Sequence, residues 1–279
     1  MKRTRFIVLL LALFVLIAGL WSGRGPIREI FHEWNKPLLP AAQPYLPQVT
    51  STIPLAPPKV SSTPVVVTIP AATSTPVVVD PFQWDGPLPA QVNLAVPFLS
   101  QAPNKDWSMP YQEACEEASM IMVHAFYEGQ TTAFEPRDGD RAILDLVRFE
   151  EGKGKTPDLT IAEVREMMMT KWGYKTVVST SDVTINRIKS ALAHGYPVIL
   201  PADGKSLKNP NFRNGGPPYH MLVIKGYVGD QYWITNDPGT RLGADFTYPI
   251  EHLPQVAHDW NGGDVPGGQA MILVALPNE

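Results

Sequence analysis

The chain has 279 residues with 44% hydrophobic and 18% charged side chains, enough for a folded core and incompatible with disorder throughout. Its net charge of −4, from 23 basic and 27 acidic residues, gives no basic surface of the kind that neutralises nucleic-acid phosphates. One cysteine excludes an internal disulfide framework and any cysteine-rich zinc or iron–sulfur site, while the 29 prolines are unevenly spread.

In chain order, Lys2, Arg3 and Arg5 precede an unbroken apolar run from Phe6 to Trp21. As a helix this run reaches roughly 24 Å, near the about 30 Å of a bilayer core once Lys2 and Arg3 snorkel. Only Ile17-Ala18-Gly19 approaches a small-x-small cleavage site. Residues 1–22 are therefore expected to form a signal anchor, a single-pass membrane helix with the folded part extracytoplasmic. Cleavage would make the product secreted. Residues 23–90 carry about half of the prolines, with the near-repeat Ser62-Thr63-Pro64-Val65-Val66-Val67 and Ser74-Thr75-Pro76-Val77-Val78-Val79. Such a mixture favours extended chain and reads as a Pro/Thr/Val-rich linker, or stalk.

Residues 91–279 are read as one domain. The spacing predicts a helix over 113–128, with Ala118, Ile121, Met122 and Ala125 on one face and Gly129 as its stop. Further helices are predicted from Asp140 to Glu151, from Thr160 through Trp172 with a Thr160/Glu163 capping box, and from Asp182 to Gly195. Strand-like runs then follow at 196–200, 220–227, 231–235 and 269–276, with Gly229-Asp230 as a hairpin turn. Helices first and strands afterwards indicate an α+β domain with an antiparallel sheet.

Cys115 falls in the first turn of the first predicted helix, where the dipole and free amides favour a thiolate. Glu116 and Glu117 oppose that charge, so a positive partner is needed. His220, opening the apolar strand His220-Met221-Leu222-Val223-Ile224, can serve as general base and acid. A hairpin returns Asn236-Asp237-Pro238-Gly239 to the same end, where Asp237, or Asn236, can accept the Nδ1 proton of His220 and hold the ring. The Cys115 amide and a side-chain amide, Gln101 or alternatively Gln112, can bind an oxyanion. Trp107 and Trp260 are candidates to line a groove. His194, His252 and His258 lack metal-ligand spacing, and no metal or other cofactor is expected.

Four segments occur in order: Val96-Pro97-Phe98-x-x-Gln101, Cys115-Glu116-x-Ala118-Ser119, Tyr219-His220-Met221-Leu222-Val223-Ile224-x-Gly226-Tyr227, and Asn236-Asp237-Pro238-Gly239. Together they resemble the papain-like cysteine peptidases related to bacteriocin-processing (double-glycine leader) peptidases, in a stand-alone exported form. The resemblance implies a papain-like α+β fold, with Cys115 as nucleophile, His220 as base and acid, Asp237 as orienter and Gln101 at the oxyanion. It implies a peptide or protein substrate and hydrolysis through an acyl-enzyme. A non-catalytic peptide-binding module and an acyl or amide transferase using the same residues are the alternatives. The long polar stretch Asp203–Pro218 is expected to shape the cleft.

Overall fold

The computed structural model describes Trp34, residues 36–46 and residues 80–277. The predicted anchor over 1–22 and the repeats at 62–67 and 74–79 lie outside them. Among the described residues no helix is long and apolar enough to cross a membrane.

The domain is an antiparallel sheet with helices packed on it, an α+β arrangement. Its elements are β1 (Gln91–Asn93), α1 (Cys115–Tyr127), α2 (Pro136–Gly152), α3 (Ile161–Trp172), β2 (Thr176–Thr180), α4 (Ile185–Ala193), β3 (Val198–Asp203), β4 (Tyr219–Val228), β5 (Tyr232–Asn236), β6 (Phe246–Pro249), α5 (His252–Val256) and β7 (Ile272–Leu276). The sheet order is β2-β7-β3-β4-β5-β6, with β1 also pairing to β4. Along one edge of β4, β3 pairs as far as Ile224 and β1 takes over at Gly226. A Cβ at Gly226 would stand 2.2 Å from the Val92 carbonyl oxygen, so only glycine lets β1 approach.

Local chemistry explains the helix limits. In α3 the Thr160 hydroxyl accepts the Glu163 amide at 3.3 Å while Glu163 accepts the Thr160 amide at 3.0 Å, the predicted capping box. Gly173 ends that helix in the left-handed region. Pro136, at the first position of α2, loses no hydrogen bond there. The expected one-sided apolar face of the first helix is corrected: every residue from Cys115 to Val123 is buried. β4 covers one side of α1, and α2 and α3 cover others, so α1 is a central helix.

Within 23–90, the described stretches 36–46 and 80–90 pack on the domain. Gln43 bonds the edge of the sheet, donating to Asn93 O at 2.8 Å and accepting from Ala95 N at 2.7 Å. The Asn93 amide donates to Pro40 O at 2.8 Å, and the Tyr45 ring packs edge-on against Phe126 and Tyr127. Phe82 is also buried in the core. Composition reports that such a segment has no core of its own; it does not report that a neighbouring sheet edge offers unpaired amides.

Candidate active site

Cys115 is the first residue of α1, preceded by a 3₁₀ turn over Tyr111–Glu113 rather than by continuous α-helix. Its sulfur is buried. The thiol donates to Glu116 Oε2 at 2.9 Å, and the backbone amide of Met221 on β4 lies on the sulfur's side. Burial pushes the thiol pKa well up, the Glu116 charge and hydrogen bond and the Glu117 charge add to this, and the Met221 amide pulls it back. No hydrogen bond among the described residues joins the thiol to His220. The two groups are nonetheless neighbours, because Met221 directly follows His220 in β4.

The His220 ring donates from Nε2 to Asp237 Oδ1 at 2.8 Å. The expected bond through Nδ1 is corrected: Asp237 approaches the far side of the ring, which leaves Nδ1 as the nitrogen without that partner. A register shift explains why the carboxylate faces the ring. From Val228↔Tyr232 to Gly226↔Ile234 the β4–β5 ladder keeps one register, and beyond Lys225 it moves by one residue to Ile224↔Thr235 and Val223↔Asn236. Continued, that register sets Asp237 opposite Leu222, on the face that His220 shares. Without the bulge Asn236 would take this face. Asn236 instead donates to Val96 O at 2.9 Å on the opposite face.

Asp237 is fully buried and has four donors. Besides His220, these are Tyr248 OH at 2.6 Å, Asn209 Nδ2 at 2.9 Å and Gly239 N at 3.1 Å. Burial raises its pKa, but the His220 charge and hydrogen bond and those of Tyr248 and Asn209 outweigh this and hold it below the usual carboxylate range. Gly239 has no room for a side chain: a Cβ would meet His220 Cε1 and Phe212 Cε1, each at 2.8 Å. The imidazole is thus clamped between Phe212, which meets it edge-on with ring centroids 5.1 Å apart, and the Gly239 backbone.

Gln101 holds the opposite wall. Its amide Nε2 donates to Tyr111 O at 2.9 Å and Gln112 O at 3.0 Å, and its own backbone N–H donates to Pro238 O at 3.0 Å. Both side-chain hydrogens are therefore committed to the turn that leads into Cys115, and an oxyanion at this amide would displace one of them. Gln112 donates to Glu113 Oε1 at 2.7 Å with one hydrogen. A cleft of about 690 Å³ lies between these walls, lined among others by Gln101, Trp107, Gln112, Phe212, His220 and Arg241. The stretch 203–218 supplies one wall, and it also brings in Asn209. Trp107 lines the cleft, whereas Trp260 packs against Tyr219.

Sequence reasoning did not single out Asn209 or Tyr248, and it placed Glu116 only as an acid opposing a thiolate. Their signal is faint, since each becomes informative only when the sheet brings it to Asp237 or to the sulfur. His194, His252 and His258 bond to separate backbone carbonyls, of Gln83, Leu207 and Gly268. Among the described residues no group of three or more His, Cys, Asp or Glu side chains is arranged to hold a metal ion.

The model of the peptidase C39-like family matches residues 93–262, which is most of the domain. Among solved structures, the chain is similar to a Bacillus anthracis protein assigned as a C39-like peptidase, with 17% identity and a TM-score of 0.43. That likeness covers 68% of this chain and 99% of the other. No curated protein matches. The matched segment contains Gln101, Cys115, His220 and Asp237 in order, and on that match the chain belongs to the peptidase C39-like family.

Proposed function

We propose that this protein is a cysteine peptidase that hydrolyses peptide bonds through Cys115, His220 and Asp237. The observation that carries this reading is a shared location. The Cys115 sulfur lies beside the Met221 backbone amide, while the imidazole of the preceding residue, bonded to Asp237, faces the cleft. In the reaction His220 takes the thiol proton at Nδ1, and Asp237 accepts from Nε2–H and offsets the charge of the imidazolium. The thiolate attacks the substrate carbonyl. The oxyanion that forms takes the Cys115 backbone N–H and, after exchange of a hydrogen bond, the Gln101 amide. His220 returns the proton to the leaving amine, and water, deprotonated by the same ring, releases the acyl group from sulfur.

The peptide substrate lies in the cleft between the Trp107 and Phe212 walls. Residues 1–22 anchor the protein in a membrane, with the domain outside the cytoplasm, a reading supported by the Lys2/Arg3/Arg5 cluster and the apolar run behind it. The test is hydrolysis of a mixed peptide library followed by mass spectrometry. Cleavage by the full chain and its loss in Cys115→Ala and His220→Ala are expected. Equal cleavage by Cys115→Ala would overturn the reading.

One observation favours a second reading, a non-catalytic peptide-binding module: the thiol is bonded to a buried carboxyl group rather than to the imidazole. Peptide binding that Cys115→Ser leaves unchanged, without hydrolysis by either protein, would support that alternative.

A further inference from the structure

A side chain beside the nucleophile has no assigned role. Glu116 is wholly buried on α1, with Oε1 accepting the Leu159 backbone amide at 3.0 Å and Oε2 accepting the Cys115 thiol at 2.9 Å. Leu159 is itself anchored, because its carbonyl accepts Tyr219 OH at 2.9 Å and Tyr219 precedes His220. The carboxyl group is therefore fixed at one end by the chain that leads into α3 and at the other by the sulfur. A surface glutamate at a helix start would make neither contact.

We propose that Glu116 is a positioning residue that holds the Cys115 thiol protonated and turned away from His220 at rest, so that the nucleophile engages only when this hydrogen bond is broken. This rests on the reading of Cys115 as the nucleophile.

The groups facing Glu116 reinforce such a latch. On its own helix stand Cys115 and Glu117; α2 brings Glu150 against Glu117; the segment before α3 brings Asp158; and β4 brings Tyr219. All are acids or neutral at rest, and no basic side chain is among them, so no side chain in this shell favours a thiolate. Burial pushes Glu116 up to about 8, while its hydrogen bonds from Cys115 and Leu159 work against that rise. From about pH 8 upwards the sulfur therefore faces a carboxylate at close range. A carboxylate at 2.9 Å disfavours a second negative charge on sulfur. Rotation of the sulfur towards the cleft exchanges this neighbour for the imidazole of His220.

The test uses the reactivity of the sole thiol. Glu116→Gln preserves the shape and the Leu159 contact but removes the charge, so the pH profile of Cys115 alkylation by iodoacetamide should move to lower pH. Each pH unit of displacement is a tenfold faster reaction on the rising limb, and a gain of about tenfold is expected at pH 9, where Glu116 is ionised in the wild type. A purely structural role would leave the profile in place. A folded Glu116→Gln protein whose profile coincides with the wild type, or moves to higher pH, overturns the proposal.

If the variant does not fold, the wild-type S–H stretching band decides. With one cysteine in the chain the band is unambiguous, and Cys115→Ala supplies the blank. A band at a hydrogen-bonded frequency supports the latch, and a band at the free-thiol frequency overturns it. Alkylation needs no peptide turnover, so a displaced profile without hydrolysis in any library would sink the peptidase reading and leave the Glu116 contact standing.

Discussion

Burying three glutamates around one helix has a measurable consequence for stability. Glu116 and Glu117 of α1 and Glu150 of α2 are almost completely hidden from solvent. Glu117 and Glu150 face each other, and Glu117 Oε2 and Glu150 Oε1 have no donor among the described residues. Burial pushes Glu150 from 4.5 up to about 7, partly offset by Glu117 and by Lys171. A carboxyl group raised on folding stabilises the native state fully below its unfolded value, and that contribution is lost as pH rises through the folded value. For Glu150 the window runs from about pH 4.5 to about pH 7. At about 1.4 kcal/mol per pH unit, the change is about 3 kcal/mol. Asp237, held low, keeps its contribution constant across this window, while the half-buried His124, also held low, acts weakly in the opposite sense. Thermal unfolding followed by circular dichroism at pH 5 and pH 8 should therefore show the protein less stable at pH 8, by roughly 6–12 °C from Glu150 alone. Glu150→Gln should reduce that difference, leaving the part owed to Glu116 and Glu117. A wild-type protein equally or more stable at pH 8 would refute the reasoning.

Gly239→Ala places a methyl group 2.8 Å from His220 Cε1 and should displace the ring, lowering kcat/KM at least tenfold while the circular dichroism spectrum is retained. Asp237→Ala should lower peptide hydrolysis at least a hundredfold, because Asn236 on the opposite face of β5 cannot take its place; retained activity would contradict the register argument. Tyr248→Phe takes away one of the Asp237 donors and should cost about 1–3 kcal/mol in urea unfolding, with the Asp237 pKa rising. Tyr45→Ala, at the aromatic contact of the N-terminal segment, should speed proteolysis around residue 46 and leave hydrolysis by the cleft unchanged.

The helices and the long strands were legible because each carries a local signal. The Thr160/Glu163 box, Gly129 as a stop and the apolar period of 220–227 are read within a dozen residues. The short strands Gln91–Asn93, Thr176–Thr180 and Phe246–Pro249 and the short helix His252–Val256 were not, since their identity comes from partners far along the chain. At the site, the pairing of His220 with Asp237 followed from hairpin length. The choice between Asp237 and Asn236 did not, because it depends on a one-residue bulge at Lys225 that no composition rule announces. The same limit applies to the ring nitrogen: spacing brings a carboxylate near the imidazole, but the approach to Nε2 is set by the packing of Phe212 and Gly239. Glu116 illustrates a further limit. Its position at a helix start favours solvent-exposed acid, and only the strand and loop closing over α1 make it a buried neighbour of the thiol.

The central claim, that Cys115 is the nucleophile and His220 its partner, is tested most directly by labelling the full chain with a peptide-derived thiol electrophile and mapping the modified residue. The account predicts modification at Cys115, blocked by prior peptide substrate and slowed at least a hundredfold in His220→Ala. Labelling that proceeds equally well in His220→Ala, or peptide hydrolysis that survives in Cys115→Ala, would contradict it.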